Sequence, residues 1–124
     1  MGDSTCTSCI YETLDAIWEV LGPEYLAAPT EEMWAASERE FAERWNFPNC
    51  VAAIDGKHVA LQCPNGTGST YRNYKGTFST VLLALVDASY CFRWVSIGSA
   101  GREGDSAIFT ASDLGQALSL LVGG

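Results

Sequence analysis

Two periods of hydrophobic positions divide the chain. Ile10, Leu14, Ile17, Trp18 and Leu21 recur at spacings of four, three, one and three, which lines one face of a helix of about three turns. Gly22-Pro23 is expected to end it, because proline lacks an amide donor and its ring collides with the preceding turn. Pro29-Thr30-Glu31-Glu32 announces a second helix. Thr30 can cap its first turn, and the two acids favour the positive end of the helix dipole. Trp34, Phe41 and Trp45 then share a face before Asn46-Phe47-Pro48 closes the segment. Residues 10–47 thus read as an acidic helical hairpin packed on a core, with residues 1–9 a flexible amino terminus.

From Cys50 onward the pattern changes. Val51-Ala52-Ala53-Ile54 is a short apolar run ending in Asp55-Gly56, and His58 to Gln62 follows it; together they suggest two strands or one bent pair. Pro64 to Ser69 is dense in turn formers and predicts a loop. Thr77 to Val86 is β-branched and apolar on both alternations, as in a strand covered on both faces. Asp87-Ala88-Ser89 turns the chain into Cys91–Ile97, which alternates and suits an antiparallel neighbour. Ser106 to Leu121 reads as one helix, or as a short turn and then a helix. The fold class is therefore α/β (α+β): a helical hairpin, three antiparallel strands and a crossover helix. That order opens an RNase H-like core, and residues 48–124 read as part of one, without the parallel fourth strand.

Composition narrows the function classes. A chain of 124 residues, 48% of them hydrophobic, suits one domain. No apolar run approaches the roughly 18–20 residues needed to span a bilayer, and the acidic Met1-Gly2-Asp3-Ser4 does not read as a secretory signal. Net charge is −8, yet residues 1–50 carry ten acids against Arg39 and Arg44, while residues 51–124 carry five of each sign. Bulk charge thus argues against strong autonomous DNA binding. It leaves room for a basic patch built from Lys57, Arg72, Lys75, Arg93 and Arg102. Cys6, Cys9, Cys50, Cys63 and Cys91 form an odd set without framework spacing, which suggests reduced thiols. The Cys6-Thr7-Ser8-Cys9 pair, with one histidine in the chain, cannot complete a four-ligand zinc site.

Asp55 is the residue that first principles single out. A carboxylate at the end of a buried apolar strand is costly unless it binds a cation or accepts several hydrogen bonds. The competing reading is a turn-capping Asp before Gly56. On these residues alone the turn cap is the favoured reading, and a resemblance reverses that order. Trp45 to Val59, through Phe47-Pro48-Asn49-Cys50 and Ile54-Asp55-Gly56-Lys57-His58, resembles the block that opens the DDE domain of PIF/Harbinger-type transposases and Harbinger-derived nucleases. Three further stretches resemble that family in order: Tyr71-Arg72-Asn73-Tyr74-Lys75-Gly76, Phe78 to Asp87, and Gly101 to Phe109. Ile17 to Tyr25 also resembles the stretch preceding the family's catalytic domain.

The resemblance implies a nuclease or transposase that cleaves DNA phosphodiesters with divalent metal, Mg²⁺ or Mn²⁺, held by three carboxylates. Asp55 matches the first acid. The second and third fall beyond Gly124, so weak metal binding and no catalysis by this chain alone are expected. Asp105, before the crossover helix, is expected to be an N-cap or to support the metal from a distance, and Asp87 to be structural. Lys57, His58, Arg72 and Lys75 are the candidate phosphate contacts. Ser106-Ala107 and Cys91 depart from the family's pattern on the DNA-facing side. The implied compartment is the nucleus, with the cytoplasm the other option. The alternative reading is a domesticated, transposon-derived interaction module whose acidic helices bind a protein partner. An open sheet edge would also favour self-association.

Overall fold

The computed structural model describes the backbone of residues 2–123 and the side chains of residues 2–120. Four helices and three strands follow in the order α1 (Asp3–Tyr25), α2 (Glu31–Trp45), β1 (Ala53–Ala60), β2 (Ser79–Val86), β3 (Phe92–Ala100), α3 (Asp105–Ala111) and α4 (Asp113–Gly123). The strands form one antiparallel sheet in the order β1-β2-β3, so the architecture is α+β, as the sequence led us to expect.

The helical segment differs from expectation. Backbone from Asp3 is already helical, so Cys6 and Cys9 lie on α1, which begins before the helix expected from Ile10. The helix also runs through Gly22-Pro23 to Tyr25. Pro23 denies a donor to the Glu19 carbonyl, but both residues are solvent-exposed and water can satisfy that oxygen. One further turn closes with Leu26 N–H donating to Gly22 O at 2.8 Å. Among the described residues α1 buries none; its apolar face, including Ile10 (59% exposed) and Trp18 (58%), stays in solvent. The expected hairpin is therefore not packed on the core along its first arm.

α2 does dock. Thr30 accepts from Met33 N–H at 3.2 Å, which is the anticipated cap, and Asn46 ends the helix in a left-handed conformation (φ 51°). Its inner face then holds the segment before β1 and the turn after β2 through polar bonds. Ser37 Oγ, on a buried residue, donates to Val51 O at 2.5 Å, and Trp45 Nε1 donates to Ala88 O at 3.0 Å. Glu40 accepts from Arg44 at 2.6 Å and from the Ser89 hydroxyl.

β2 is the centre of the molecule. Ser79, Val81, Leu83 and Leu85 point to one side and are buried, while Thr80, Leu82, Ala84 and Val86 are half-buried on the other. The buried side meets Ile108, and Trp94 and Phe109 pack around Val81, Leu83 and Ile108. Each of these three core side chains gains about 1.5–3 kcal/mol from leaving water. The opposite side is not covered to the same degree. There the register aligns Val59, Leu82, Ala84, Val86, Phe92 and Ile97, of which Ile97 is 65% and Phe92 52% exposed. The expectation of a strand sealed on both faces holds for one face only.

Two irregularities shape β3. Register passes from Leu85–Trp94 to Val86–Phe92, leaving Arg93 as the extra residue of a bulge, and a bulge re-aims its side chain. Arg93 turns onto Asp87, donating from Nε and Nη2 to Oδ2 at 2.7 Å each. Gly98 is skipped in the same way with φ 103°, a conformation that favours glycine. After β3, the segment expected to be one helix, or a short turn and then a helix, forms two helices that part at Ser112, whose Oγ accepts from Gly115 N–H at 3.0 Å and starts α4.

Candidate functional site

The two strands suggested for residues 51–62 are one. β1 runs unbroken through Asp55-Gly56, with Asp55 opposite Ala84 and Gly56 opposite Leu83. That removes the turn-cap reading of Asp55, because no turn exists there. It also removes the burial argument: Asp55 is exposed and β1 is an edge strand flanked by half-exposed Ile54 and Val59. The carboxylate pays little desolvation cost, and its Oδ1 accepts only the neighbouring Gly56 N–H, at 2.9 Å. Its remaining lone pairs face solvent beside the β1 edge.

Asp105 is not the N-cap of α3. That position belongs to Gly104, and no side chain caps the helix. Asp105 is the first helical residue, and its carboxylate is laid over the Cα of Gly56. A Cβ at residue 56 would sit 2.1 Å from Asp105 Oδ1 and 2.7 Å from Oδ2, so only glycine permits this approach. Ile54, Asp55, Leu83, Asp105, Ser106 and Phe109 border one shallow hollow. Strand alternation nevertheless puts the Asp55 side chain and the face of Gly56 that Asp105 covers on opposite sides of β1. The two acids thus meet at one edge of the sheet, from either side of the strand.

The basic candidates separate into groups. Arg93 is bound to Asp87, which withdraws it from the expected patch. Asp87 also accepts from Ser89 N–H at 2.9 Å and Cys91 N–H at 3.0 Å. Burial raises its pKa, but the Cys91 amide, the Arg93 hydrogen bond, the Ser89 amide and the Arg93 charge together pull it below the usual carboxylate value. Asp87 is structural, as expected. Lys57 lies with Asp55 on the half-open face. Arg72 and Lys75 lie on the segment between β1 and β2, where Lys75 Nζ stands 5.6 Å from the Tyr74 ring centroid and Arg72 Nη2 runs alongside Gly76.

His58 faces the α3 side of the sheet, opposite Val81. Its Nδ1 is 2.7 Å from the Oγ of Ser79, a residue only 1% exposed, and its ring meets Tyr74 edge-on at 6.1 Å. Ser79 and Asn73 were not singled out from the sequence. Asn73 organises the Asn-Tyr-Lys-Gly turn: its Oδ1 accepts from Lys75 N–H and Thr77 N–H, and its Nδ2 reaches Ser79 Oγ at 3.0 Å. Turn-forming Asn before a positive-φ Gly76 (φ 81°) was the available signal.

Carboxylate oxygens are the donors that Mg²⁺ and Mn²⁺ take, so Asp55 and Asp105 fit such an ion in kind. In number they fall short of a three-acid set. Among the described residues no three His, Cys, Asp or Glu side chains converge to hold a metal. No described cysteine is in a disulfide, and no helix is long and apolar enough to cross a membrane.

The sheet and the helix that follows it bring an exposed edge-strand carboxylate and a second acid to one shallow hollow. The chain belongs to the DDE superfamily endonucleases, whose family model matches residues 54–123. It is 25% identical over 115 residues to a protein of Rattus norvegicus named "Putative nuclease HARBI1". That match covers 92% of this chain and 33% of the rat protein, so the chain spans about a third of that relative's length. No solved structure matches the chain.

Proposed function

We propose that this chain carries the first carboxylate of a divalent-metal-dependent nuclease centre acting on DNA, and that it does not cleave DNA by itself. The observation that carries this reading is the approach of Asp105 over Gly56 beside Asp55, which gathers two hard-oxygen donors at the edge of β1. Asp55 is the metal ligand proper, and Asp105, held on the helix, supports the ion from the α3 side. A bound Mg²⁺ or Mn²⁺ would supply Lewis-acid stabilisation of the oxygens of a phosphodiester. The chain's own residues supply position. Lys57 and, around the Asn73 turn, Arg72, Lys75 and His58 meet phosphate oxygens of the same strand, and the compartment that offers this substrate is the nucleus. Two carboxylates hold Mg²⁺ weakly against its hydration shell, which is why we expect no cleavage.

Adding Mn²⁺ to the isotopically labelled chain tests the centre. Paramagnetic broadening of amide signals should start at residues 54–56 and 104–106, and Asp55→Asn should remove it; broadening centred elsewhere rejects the site. Nicking of supercoiled DNA by the wild type, lost in Asp55→Asn, would overturn the inactivity.

A second reading, an interaction module without catalysis, is favoured by one observation: the apolar face of α1 is exposed along its length. A partner helix or sheet would cover it.

A further inference from the structure

We infer that Asn73 and Ser79 are positioning residues that fix His58 as a neutral Nε2–H donor, and that this donor serves a phosphodiester oxygen at the site proposed above. The argument begins with Asn73, whose amide orientation is set by backbone. Its Oδ1 accepts from two main-chain donors, Lys75 N–H at 3.0 Å and Thr77 N–H at 3.2 Å. The NH₂ group of an amide cannot accept from an N–H donor, so the terminus facing these two donors is the oxygen, and Nδ2 on the other side donates to Ser79 Oγ at 3.0 Å. Ser79 is 1% exposed, and a buried hydroxyl proton needs an acceptor. The neighbouring group that can take it is His58 Nδ1, at 2.7 Å. Nδ1 must then be bare, and in a neutral imidazole the proton sits on Nε2.

The consequence is chemical. Nε2 is the ring nitrogen turned away from Ser79, and it offers a hydrogen bond rather than a lone pair. In this state His58 is a donor and not a metal ligand. It sits two residues from Gly56 on the same side of β1, and Asp105 lies over that glycine, so the donor and the acidic edge are neighbours. Tyr74 stands edge-on to the imidazole, and Lys75, next in the turn, adds the charge that attracts a phosphate. The inference rests on the nucleic-acid reading for its ligand but not for its tautomer.

One histidine in the chain makes the test unambiguous. At about pH 8, where an ordinary imidazole is neutral, long-range ¹H–¹⁵N correlation of the metal-free protein should show Nε2 protonated and Nδ1 bare. A proton on Nδ1 in the wild type overturns the proposal whatever any variant does. Asn73→Asp keeps the oxygen that accepts from Lys75 and Thr77 but replaces the donor to Ser79 with an acceptor. The Ser79 hydroxyl should turn to it, and the His58 proton should move to Nδ1; an unchanged tautomer in a folded variant refutes the positioning role. Addition of a short DNA duplex without metal should shift the Nε2 signal. If amides of Lys57 and Lys75 move while Nε2 does not, the donor role falls and DNA binding stands. If nothing moves, the donor role falls together with the nucleic-acid reading.

Discussion

Replacing Asp87 tests whether the sheet that carries the site is held by a polar clasp. Asp87 Oδ1 accepts from two backbone amides and Oδ2 from Arg93 Nε and Nη2. Hydrogen bonds to a charged group contribute about 1.5–3 kcal/mol each, but they are not additive. Arg93 is 38% exposed and can turn to water when its partner is removed, so Asp87→Ala should cost about 3 kcal/mol rather than the sum. For a chain of this size that lowers Tm by roughly 10 °C. Asp87→Asn should cost less, about 1–2 kcal/mol, since Oδ1 can still accept from Ser89 and Cys91 while the new NH₂ group opposes the guanidinium. Urea unfolding followed by tryptophan fluorescence reads both, because Trp45 and Trp94 sit on either side of the clasp. Proton linkage gives a second signature. The folded pKa of Asp87 is depressed, so its contribution is present above the ordinary carboxylate value of about 3.9 and lost as pH falls through the lower folded value. The stability difference between wild type and Asp87→Asn should stay flat above about pH 5 and shrink below pH 4. A loss under about 1 kcal/mol in Asp87→Ala, or a difference that grows on acidification, refutes the clasp.

Two further perturbations separate site from scaffold. Gly56→Ala should push the Asp105 carboxylate off the strand, because a Cβ would meet it at 2.1 Å; Mn²⁺ affinity should drop several-fold while stability changes by about 1 kcal/mol or less, and an unchanged affinity would show that Asp105 plays no part. Deleting residues 2–22 should leave the unfolding free energy from urea titration within about 0.5 kcal/mol of the full chain, since α1 buries no described residue; a large loss would mean that the helix packs on the sheet in solution.

Strands were legible in the sequence where burial writes a pattern. β2 lies under Ile108 and Phe109, and its apolar run marked it to within two residues. The Thr30 cap and the antiparallel return of β3 were equally plain, because each depends on neighbours in sequence. The misreadings share another cause. Gly22-Pro23 and Asp55-Gly56 look like breaks in isolation, yet the first lies on an exposed helix whose orphan carbonyl water can serve, and the second is held extended by pairing with Leu83 and Ala84. Asp105 was placed at the right helix end, but it is the first helical residue and not the cap. Only the third dimension shows that its carboxylate crosses to a glycine 49 positions earlier. The bulge that takes Arg93 out of the basic patch is likewise a matter of register, and residue type does not reveal it.

The position of the site in the fold explains its chemistry better than the identity of any one side chain. β2 is the rigid element, clamped between two strands and against α3, whereas β1 gives one side to β2 and leaves its other edge open. Asp55 stands on that edge, exposed and with one local hydrogen bond. An unburied carboxylate is accessible without help, so the buried acid that the apolar run before it suggested is not what the fold presents. What the fold contributes is direction. Gly56 admits Asp105 on one side, and the buried Ser79 together with the half-buried Asn73 orients His58 two residues further along the same strand. A carboxylate edge suits a dication and an oriented donor suits an anion, so the proposed metal and phosphate contacts both fall on one strand, β1.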